Sequence, residues 1–498
     1  MLTAGLGGVG RHGCVALSDG ERLVGVCEQE RITRVRGAGF NATGLPDEAL
    51  DTLLRRMGQT RADVGRYVTA EPTGGLSGAL AGERIDHHLA HACTAYFTSP
   101  FDSATIVVCD HDAPKVSVWR GHGANVSPVE WPWSGPGLSD VYSRGAAMLG
   151  FGSDASNQRM EALARLRPNA RDVRLQGLLQ YDGTGLVEEH GWERIIGEPQ
   201  KGGDRAIEAT ADVAGAIQAR VGELLLELLA DVHRRVGGER LCLGGSLFYH
   251  SALNTTAKRD GPFADVFVPV DPGNPGLAVG TALYANGRPP QQVSPFLGPE
   301  YAPDEIKETL DNCKLSYRWE SDQNTIAKVV ESLLRGHLVG WFDGAMEWGP
   351  RALGARSILA NPFSPFVLEN LNRFLKRREV WRGYALSGLE DAVHRAFLGP
   401  RESPLMECDY LPRDPSQFAY VLPAPGAAVR VHTVGAQSPA RFRALLEAFG
   451  AATGTPILVN TSFNGFHEPI VCSPRDAVRV FYGTGLDMLV LGQFVLTK

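Results

Sequence analysis

Residues 86–110 read DHHLAHACTAYFTSPFDSATIVVCD, from Asp86 to Asp110. The first half predicts a helix, since Leu89, Ala90 and Ala92 are adequate helix formers around the histidines. The run Thr105–Cys109 (TIVVC) is compact and β-branched and ends on a carboxylate. That is the pattern of a buried strand delivering a polar group at its C-terminal end. On a helix, His87 and His91 stand at i and i+4, which puts both imidazoles on one face, about a turn apart. With Asp110 they form a candidate metal set of two neutral imidazoles and one carboxylate, suited to a borderline divalent or iron ion. His88 points about 100° away from His87 and is expected to stay outside the set. The alternative is that these are polar core or helix-surface histidines.

Outward from this segment, the pattern alternates strand and helix. Upstream, Val9–Arg31 predicts two strands around a turn at Ser18–Gly20. Downstream, Ala214–Val236 carries apolar residues at helical spacing and stops at Gly237–Gly238. A buried strand, Leu241–Leu243, and a helix through Asn254 follow. The stretch RPPQQVSPFLGPEYAPDE (288–305) is rich in proline and polar residues, as a domain boundary should be. Beyond it, Thr325–Arg335, Ala440–Thr453 and Pro474–Tyr482 predict helices. His337–Phe342, Pro456–Val459 and Met488–Leu491 predict strands. The expectation is α/β throughout, in two domains, 1–300 and 301–498. A chain of 498 residues is too long for one core.

A charged content of 21% beside 43% hydrophobic residues is that of a globular protein. No window approaches a membrane-spanning apolar run, and the N-terminus lacks the regions of a signal peptide. The expected location is cytoplasmic, with no membrane partner. The net charge of −7 argues against a nucleic-acid partner, because phosphate backbones demand clustered cations. None of the eight cysteines forms a CxxC pair, so reduced thiols, mostly in the core, are expected.

Gly244–Gly245, after a predicted strand, and PGNPGLAVGTA (272–282) are glycine-rich loops before helices. Such loops can turn backbone N–H groups towards phosphates. Together with the first loop, Gly5–Gly10 and His12, they resemble the nucleotide cleft of actin-like ATPase folds. In the C-terminal half, EWGPRALGARS (347–357), LKRRE (375–379), Arg382, Arg430 and NTSFNG (460–465) gather basic, amide and hydroxyl groups that suit phosphate. A solvated basic face explains Arg377 and Arg378 equally well. It explains Arg351 less well, lying between Gly349–Pro350 and Ala352–Leu353, where an unpaired charge is costly.

Three blocks, DHHLAHACTAYFTSPF, MEWGPRALGARSILANP and VNTSFNG, resemble the carbamoyltransferases typified by TobZ and the nodulation protein NodU, and their order extends the likeness over nearly the whole chain. The resemblance implies an actin-like (TsaD-like) N-terminal domain and a YrdC-like C-terminal domain. It implies an ATP-dependent reaction in which carbamoyl phosphate and ATP give carbamoyl-adenylate and pyrophosphate. The carbamoyl group then passes to an acceptor beside a metal ion, Fe2+ foremost, with Mg2+ accompanying ATP. Carried over, His87, His91 and Asp110 are metal ligands, and Lys376, Arg382, Arg430, Ser462 and Asn464 line the nucleotide and carbamoyl phosphate pocket. Arg351 is the arginine of the GPRALG block, and His12 helps deprotonate the acceptor; Gly244 and Gly245 are expected in the nucleotide site on the strength of the glycine-loop reading alone. The chain departs from the family at Asn274, where an aspartate ligand is usual, at Gln158, and at Asp110-His111-Asp112. Asp112 or Asp271 is then a candidate for the missing carboxylate.

The function expected is carbamoylation of a hydroxyl on a small natural product, as in antibiotic biosynthesis. An amine acceptor, a threonylcarbamoyl-type tRNA modification and a non-catalytic nucleotide-binding protein are the alternatives. Segments 130–150 and 183–204 are expected to wall the acceptor pocket, and a homodimer is expected.

Overall fold

The computed structural model describes residues 1–72, 80–152, 156–189, 191, 195 and 204–498. Its first sheet contains β1 (Leu2–Gly7), β2 (Cys14–Ser18), β3 (Leu23–Glu28), β4 (Val64–Ala70) and β5 (Glu83–Ile85), in the order β3-β2-β1-β4-β5. The first three strands are antiparallel, and β4 and β5 continue parallel to β1. A second sheet repeats the plan with β6 (Ser103–Cys109), β7 (Val116–His122), β8 (Asn125–Val129), β11 (Arg240–Gly244) and β12 (Asp265–Phe267). Read from its far edge, its order is β8-β7-β6-β11-β12, with β6, β7 and β8 antiparallel and β11 and β12 parallel to β6. A small hairpin, β9 (Leu179–Tyr181) with β10 (Leu186–Glu188), stands apart. Duplication of this strand plan is the actin-like architecture the sequence leads one to expect.

The histidine helix, His87–Phe97, lies between the two sheets. It packs on the helix Leu277–Asn286, which itself lies on β1. The helices touch where a Cβ on Gly280 would come within 2.2 Å of the Ala90 carbonyl oxygen, so only glycine permits this approach. Ala92, Tyr96, Ile106, Val108, Ala278 and Val279 fill the shared core. On the other face of the second sheet, Val107, Leu241 and Leu243 meet Leu224, Leu225 and Leu228 of the long helix Asp204–Val236. That helix ends at Gly237 and Gly238, both with positive φ, as the sequence predicts.

The C-terminal half is one ten-stranded mixed sheet. Its strands are β13 (Arg318–Trp319), β14 (Val339–Phe342), β15 (Arg356–Ala360), β16 (Ala385–Leu389), β17 (Phe397–Leu398), β18 (Cys408–Pro412), β19 (Val429–Val434), β20 (Ile457–Ser462), β21 (Met488–Leu491) and β22 (Phe494–Thr497). They run β13-β22-β21-β14-β15-β20-β16-β19-β18-β17. Strand alternation sends Trp341 and Leu359 to one face, with Leu333 and Phe442 of flanking helices. Phe342 and Ile358 go to the other, with Ile306 and Leu310. Ile306 and Leu310 belong to the helix Pro303–Asn312, which opens within the last three residues of the proline-rich stretch. All eight cysteines are free thiols, seven of them buried, as expected. Among the described residues, no helix is long and apolar enough to cross a membrane.

Candidate active site

A single cleft of about 870 Å³ runs between the halves. From the N-terminal half it takes His12, Asp110, Tyr249, Asp271 and Asn274. From the C-terminal half it takes Arg351, Lys376, Arg382, Ser462 and Asn464. Asp110 of the histidine set and the basic residues of the C-terminal half, more than 200 residues apart, therefore share one space.

At the N-terminal end, Asp86 caps the histidine helix by accepting from Leu89 N–H (2.8 Å). His87 Nε2 lies 3.2 Å from both Asp110 Oδ2 and His91 Nε2, and His91 Nε2 lies 3.7 Å from Asp110 Oδ2. The three buried ligand atoms all fall within 4.8 Å of one another. Two imidazole nitrogens facing each other beside a carboxylate oxygen fit a shared cation. His87 Nδ1 faces the Glu71 carbonyl at 3.3 Å, which leaves Nε2 with a lone pair to give. His88 turns to Ser117 Oγ (2.7 Å) and away from the set. Asp112 Oδ2 comes to 3.8 Å of His87 Nε2, yet neither Asp112 nor Asp271 joins the compact set. Asn274 lines the cleft and also, with His87, a smaller neighbouring cavity.

The glycine turn Gly244–Gly245 is no phosphate cradle. Gly245 N–H donates to the Pro272 carbonyl (2.8 Å), and neither glycine lines the cleft. Gly245 has φ +97, and a Cβ there would meet the Cys109 carbonyl at 2.2 Å. The turn instead presents the short helix Ser246–Tyr249. There Ser246 N–H donates to Asp110 Oδ1 (3.0 Å), Tyr249 Oη donates to Asp271 Oδ1, and the Tyr249 carbonyl accepts from Arg351 Nη2 (2.8 Å).

At the C-terminal end, Glu347 organises the GPRALG block. It is fully buried, and its Oε1 accepts from the N–H groups of Leu353, Ala355 and Arg356. Arg356, also fully buried, donates to the carbonyls of Pro299, Asp343, Gly344 and Ala355 and lies over the Phe342 ring at 3.6 Å. The block's density is therefore largely architectural, and it delivers Arg351 to the cleft. Burial, then the neighbouring Arg430, pushes Arg351 down to about 9. Burial, then Arg378, pushes Arg382 down to about 10. Lys376 is buried and donates to the Ser462 carbonyl (2.6 Å) and to the carbonyl and Oδ1 of Asn464 (3.0 and 2.5 Å). Burial, Arg378 and Arg382 hold it well below the usual lysine range. Among the described residues no carboxylate pairs with Lys376 or Arg351, and Arg382 has only Glu379 at 3.9 Å. Clustered cations so poorly compensated favour a bound anion. Arg377 and Arg378 line the same cleft, Arg377 exposed and Arg378 half-buried with its guanidinium 4.1 Å above the Tyr384 ring.

Arg430 departs from the expectation. It does not line the cleft but sits in a buried ionic seam between the halves. Its Nη2 lies 3.1 Å from Glu161 Oε2, and its Nε donates to Ser251 Oγ (3.0 Å). Arg165 bridges Glu161 (2.7 Å) to Asp409 (2.7 Å), and Ser251 Oγ also reaches Asp409 Oδ1 (2.6 Å). Sequence reasoning missed this seam because no local spacing links Glu161 and Arg165 to Asp409 on β18 and Arg430 on β19. It also missed Glu28, whose Oε1 accepts from Gly349 N–H (2.7 Å), and Arg31, whose Nη2 donates to the Gly349 carbonyl (2.8 Å). No residue of segment 130–150 lines the cleft, and 190, 192–194 and 196–203 of the second proposed wall lie outside the described residues.

Comparison with known proteins agrees with this geometry. A model described as "Carbamoyltransferase N-terminus" matches residues 83–283, and one described as "Carbamoyltransferase C-terminus" matches 330–498. An uncharacterized protein of Synechocystis, sll1178, is 32% identical over 83% of this chain and 76% of its own. Nodulation protein NolNO of Sinorhizobium fredii is 29% identical over 83% of this chain, which spans only 64% of it. The 3'-hydroxymethylcephem-O-carbamoyltransferase of Amycolatopsis lactamdurans is 27% identical over 97% of both chains. Among solved structures, full-length HypF in its phosphate- and nucleotide-bound form is 12% identical at a TM-score of 0.38, over 57% of this chain and 55% of that one. With both halves matched in order, the chain belongs to the carbamoyltransferase family.

Proposed function

We propose that the protein uses ATP and carbamoyl phosphate to make carbamoyl-adenylate and then carbamoylates a hydroxyl of a small natural product. The observation carrying this reading is the common cleft, which joins the uncompensated cations to Asp110, on whose other side His87 and His91 sit. In this reading residues 301–498 are a YrdC-like domain and residues 1–300 the transfer domain.

Lys376, Arg382 and Arg351 hold the phosphates, aided by Ser462 and Asn464. Water attacks the phosphorus of carbamoyl phosphate, the P–O bond to the carbamoyl group breaks, and phosphate and carbamate are released. One carbamate oxygen then attacks the α-phosphorus of ATP, and pyrophosphate leaves with the electron pair of the broken P–O bond. In the transfer step the acceptor oxygen bonds to the carbamoyl carbon, the carbon–oxygen bond to AMP breaks, and AMP departs with the electron pair. AMP is a good leaving group, so the chain's main task is positioning. His87, His91 and Asp110 would hold a divalent ion, Fe2+ in our reading, which when bound supplies Lewis-acid polarisation of the carbonyl. Asn274 is a neutral candidate beside them.

The relative named as an O-carbamoyltransferase supports a hydroxyl acceptor; a ureido product would instead mark an amine. The acidic net charge weighs against tRNA as substrate. A cytoplasmic homodimer without membrane or nucleic-acid partners completes the reading. The test is incubation with ATP, Mg2+ and carbamoyl phosphate while AMP is followed by mass spectrometry. AMP should require carbamoyl phosphate, and Arg382→Ala should abolish pyrophosphate release. AMP formed without carbamoyl phosphate would favour a regulatory nucleotide-binding protein.

A further inference from the structure

The short helix Ser246–Tyr249 touches three features at once. Through Ser246 N–H it holds Asp110, through the Tyr249 carbonyl it holds Arg351, and through Tyr249 Oη it holds Asp271. Asp271 thus lines the cleft together with Asp110 and Arg351, the first arginine of the basic end. It is only 1% exposed. Both of its protein donors, Tyr249 Oη and Gly273 N–H (2.9 Å), go to Oδ1. Oδ2 takes no hydrogen bond from the described residues, which leaves one oxygen of a nearly buried carboxylate free to accept at the cleft wall.

We infer that Asp271 takes the proton of the acceptor hydroxyl during carbamoyl transfer, a role that rests on the transfer reaction proposed above. The acceptor O–H bond breaks as its oxygen attacks the carbamoyl carbon. The proton goes to Asp271 Oδ2, the electron pair of the scissile C–O bond leaves with AMP, and the proton later passes to water. The surroundings suit the task. Burial and then Glu28 on β3 push Asp271 up to about 7, against the Tyr249 hydroxyl, the Gly273 N–H and Arg31 of the adjoining helix; the Cys14 thiol of β2 also faces it. A base near the working pH is the efficient one.

The test uses the full chain with ATP and carbamoyl phosphate, and two small nucleophiles, ethylene glycol and hydroxylamine. Hydroxylamine attacks as a neutral amine and needs little help from a base. Asp271→Asn should leave pyrophosphate release intact and lower transfer to ethylene glycol about 100-fold or more, while transfer to hydroxylamine stays within about threefold. In wild type, transfer to the glycol should fall as pH drops below about 7, and this acid limb should vanish in Asp271→Asn. Tyr249→Phe removes a hydrogen bond to the ionised carboxylate, so it should move the limb to higher pH. A limb that stays in Asp271→Asn and vanishes in His12→Gln would overturn the assignment. So would equal loss with both nucleophiles, or a wild type that releases pyrophosphate yet carbamoylates neither. Absence of pyrophosphate release from wild type would instead overturn the parent reaction, and this role with it.

Discussion

Replacing Arg430 with methionine separates two accounts of the basic residues. In the structure Arg430 is a strut of the seam, with Nη2 3.3 and 3.1 Å from the two oxygens of Glu161 and Nε on Ser251 Oγ. Glu161 is 2% exposed, and although burial disfavours its charge, Arg165, Arg430 and His250 hold it far below the usual carboxylate range. Unit charges about 4 Å apart at an effective dielectric near 20 interact by about 4 kcal/mol. Breaking a buried pair from one side costs about 3–5 kcal/mol. Arg165 remains on Glu161 at 2.7 Å, so the lower end, about 3 kcal/mol, is expected for Arg430→Met. The assay is urea denaturation followed by tryptophan fluorescence, with nucleotide affinity measured by calorimetry below the transition. Stability should fall by about that amount while ATP affinity changes less than about threefold. Adding Glu161→Gln removes the stranded charge, so the double variant should recover about 2 kcal/mol relative to additivity. An unchanged denaturation midpoint with more than a tenfold loss of ATP affinity would refute the seam and return Arg430 to the pocket.

The other expectations concern metal, acid stability and the motif loop. His87→Ala and His91→Ala should each abolish iron uptake measured by elemental analysis, His88→Ala should not, and pyrophosphate release should survive in all three. His432 is fully buried with Nδ1 3.0 Å from Ser387 Oγ, and burial pushes it down to about 4. Its neutral form is the one the fold prefers, so it costs nothing above pH 6.5 and destabilises increasingly as pH falls towards 4, by about 3 kcal/mol. His432→Asn, which can keep the Ser387 bond, should lose that part of the acid sensitivity in denaturation midpoints between pH 7 and 4. Glu347→Leu strands three buried N–H groups at about 1–3 kcal/mol each and should leave no folded protein by circular dichroism, whereas Glu347→Gln should fold with a loss of about 1–2 kcal/mol.

Most of the fold was legible because it is written in local period. Ala440–Thr453 and Met488–Leu491 fall where the spacing puts them, and β19 coincides with the run VRVHTV. The convergence of His87, His91 and Asp110 was legible too, since i, i+4 on a helix and a strand-end carboxylate are local signals. What stayed hidden depends on distant partners. The seam pairs Glu161 with Arg430 across 269 residues, and no period marks either. Asp271 reads only as a candidate for the missing carboxylate ligand until Tyr249 is seen to cap one of its oxygens beside the cleft. The Gly244–Gly245 turn misled because close approach to Cys109 and a phosphate cradle demand the same residue.

In the proposed reaction, activation and transfer are joined in the shared cleft through a carbamoyl-adenylate. Carbamoyl phosphate labelled with 18O on both oxygens of its carbamoyl carbon tests it most directly, with the AMP released during transfer analysed by mass spectrometry. The bridging oxygen of a carbamoyl-adenylate comes from carbamate and stays with phosphorus when the acceptor attacks carbon, so AMP should carry one heavy oxygen. AMP of natural mass, formed alongside carbamoylated acceptor, would contradict the claim.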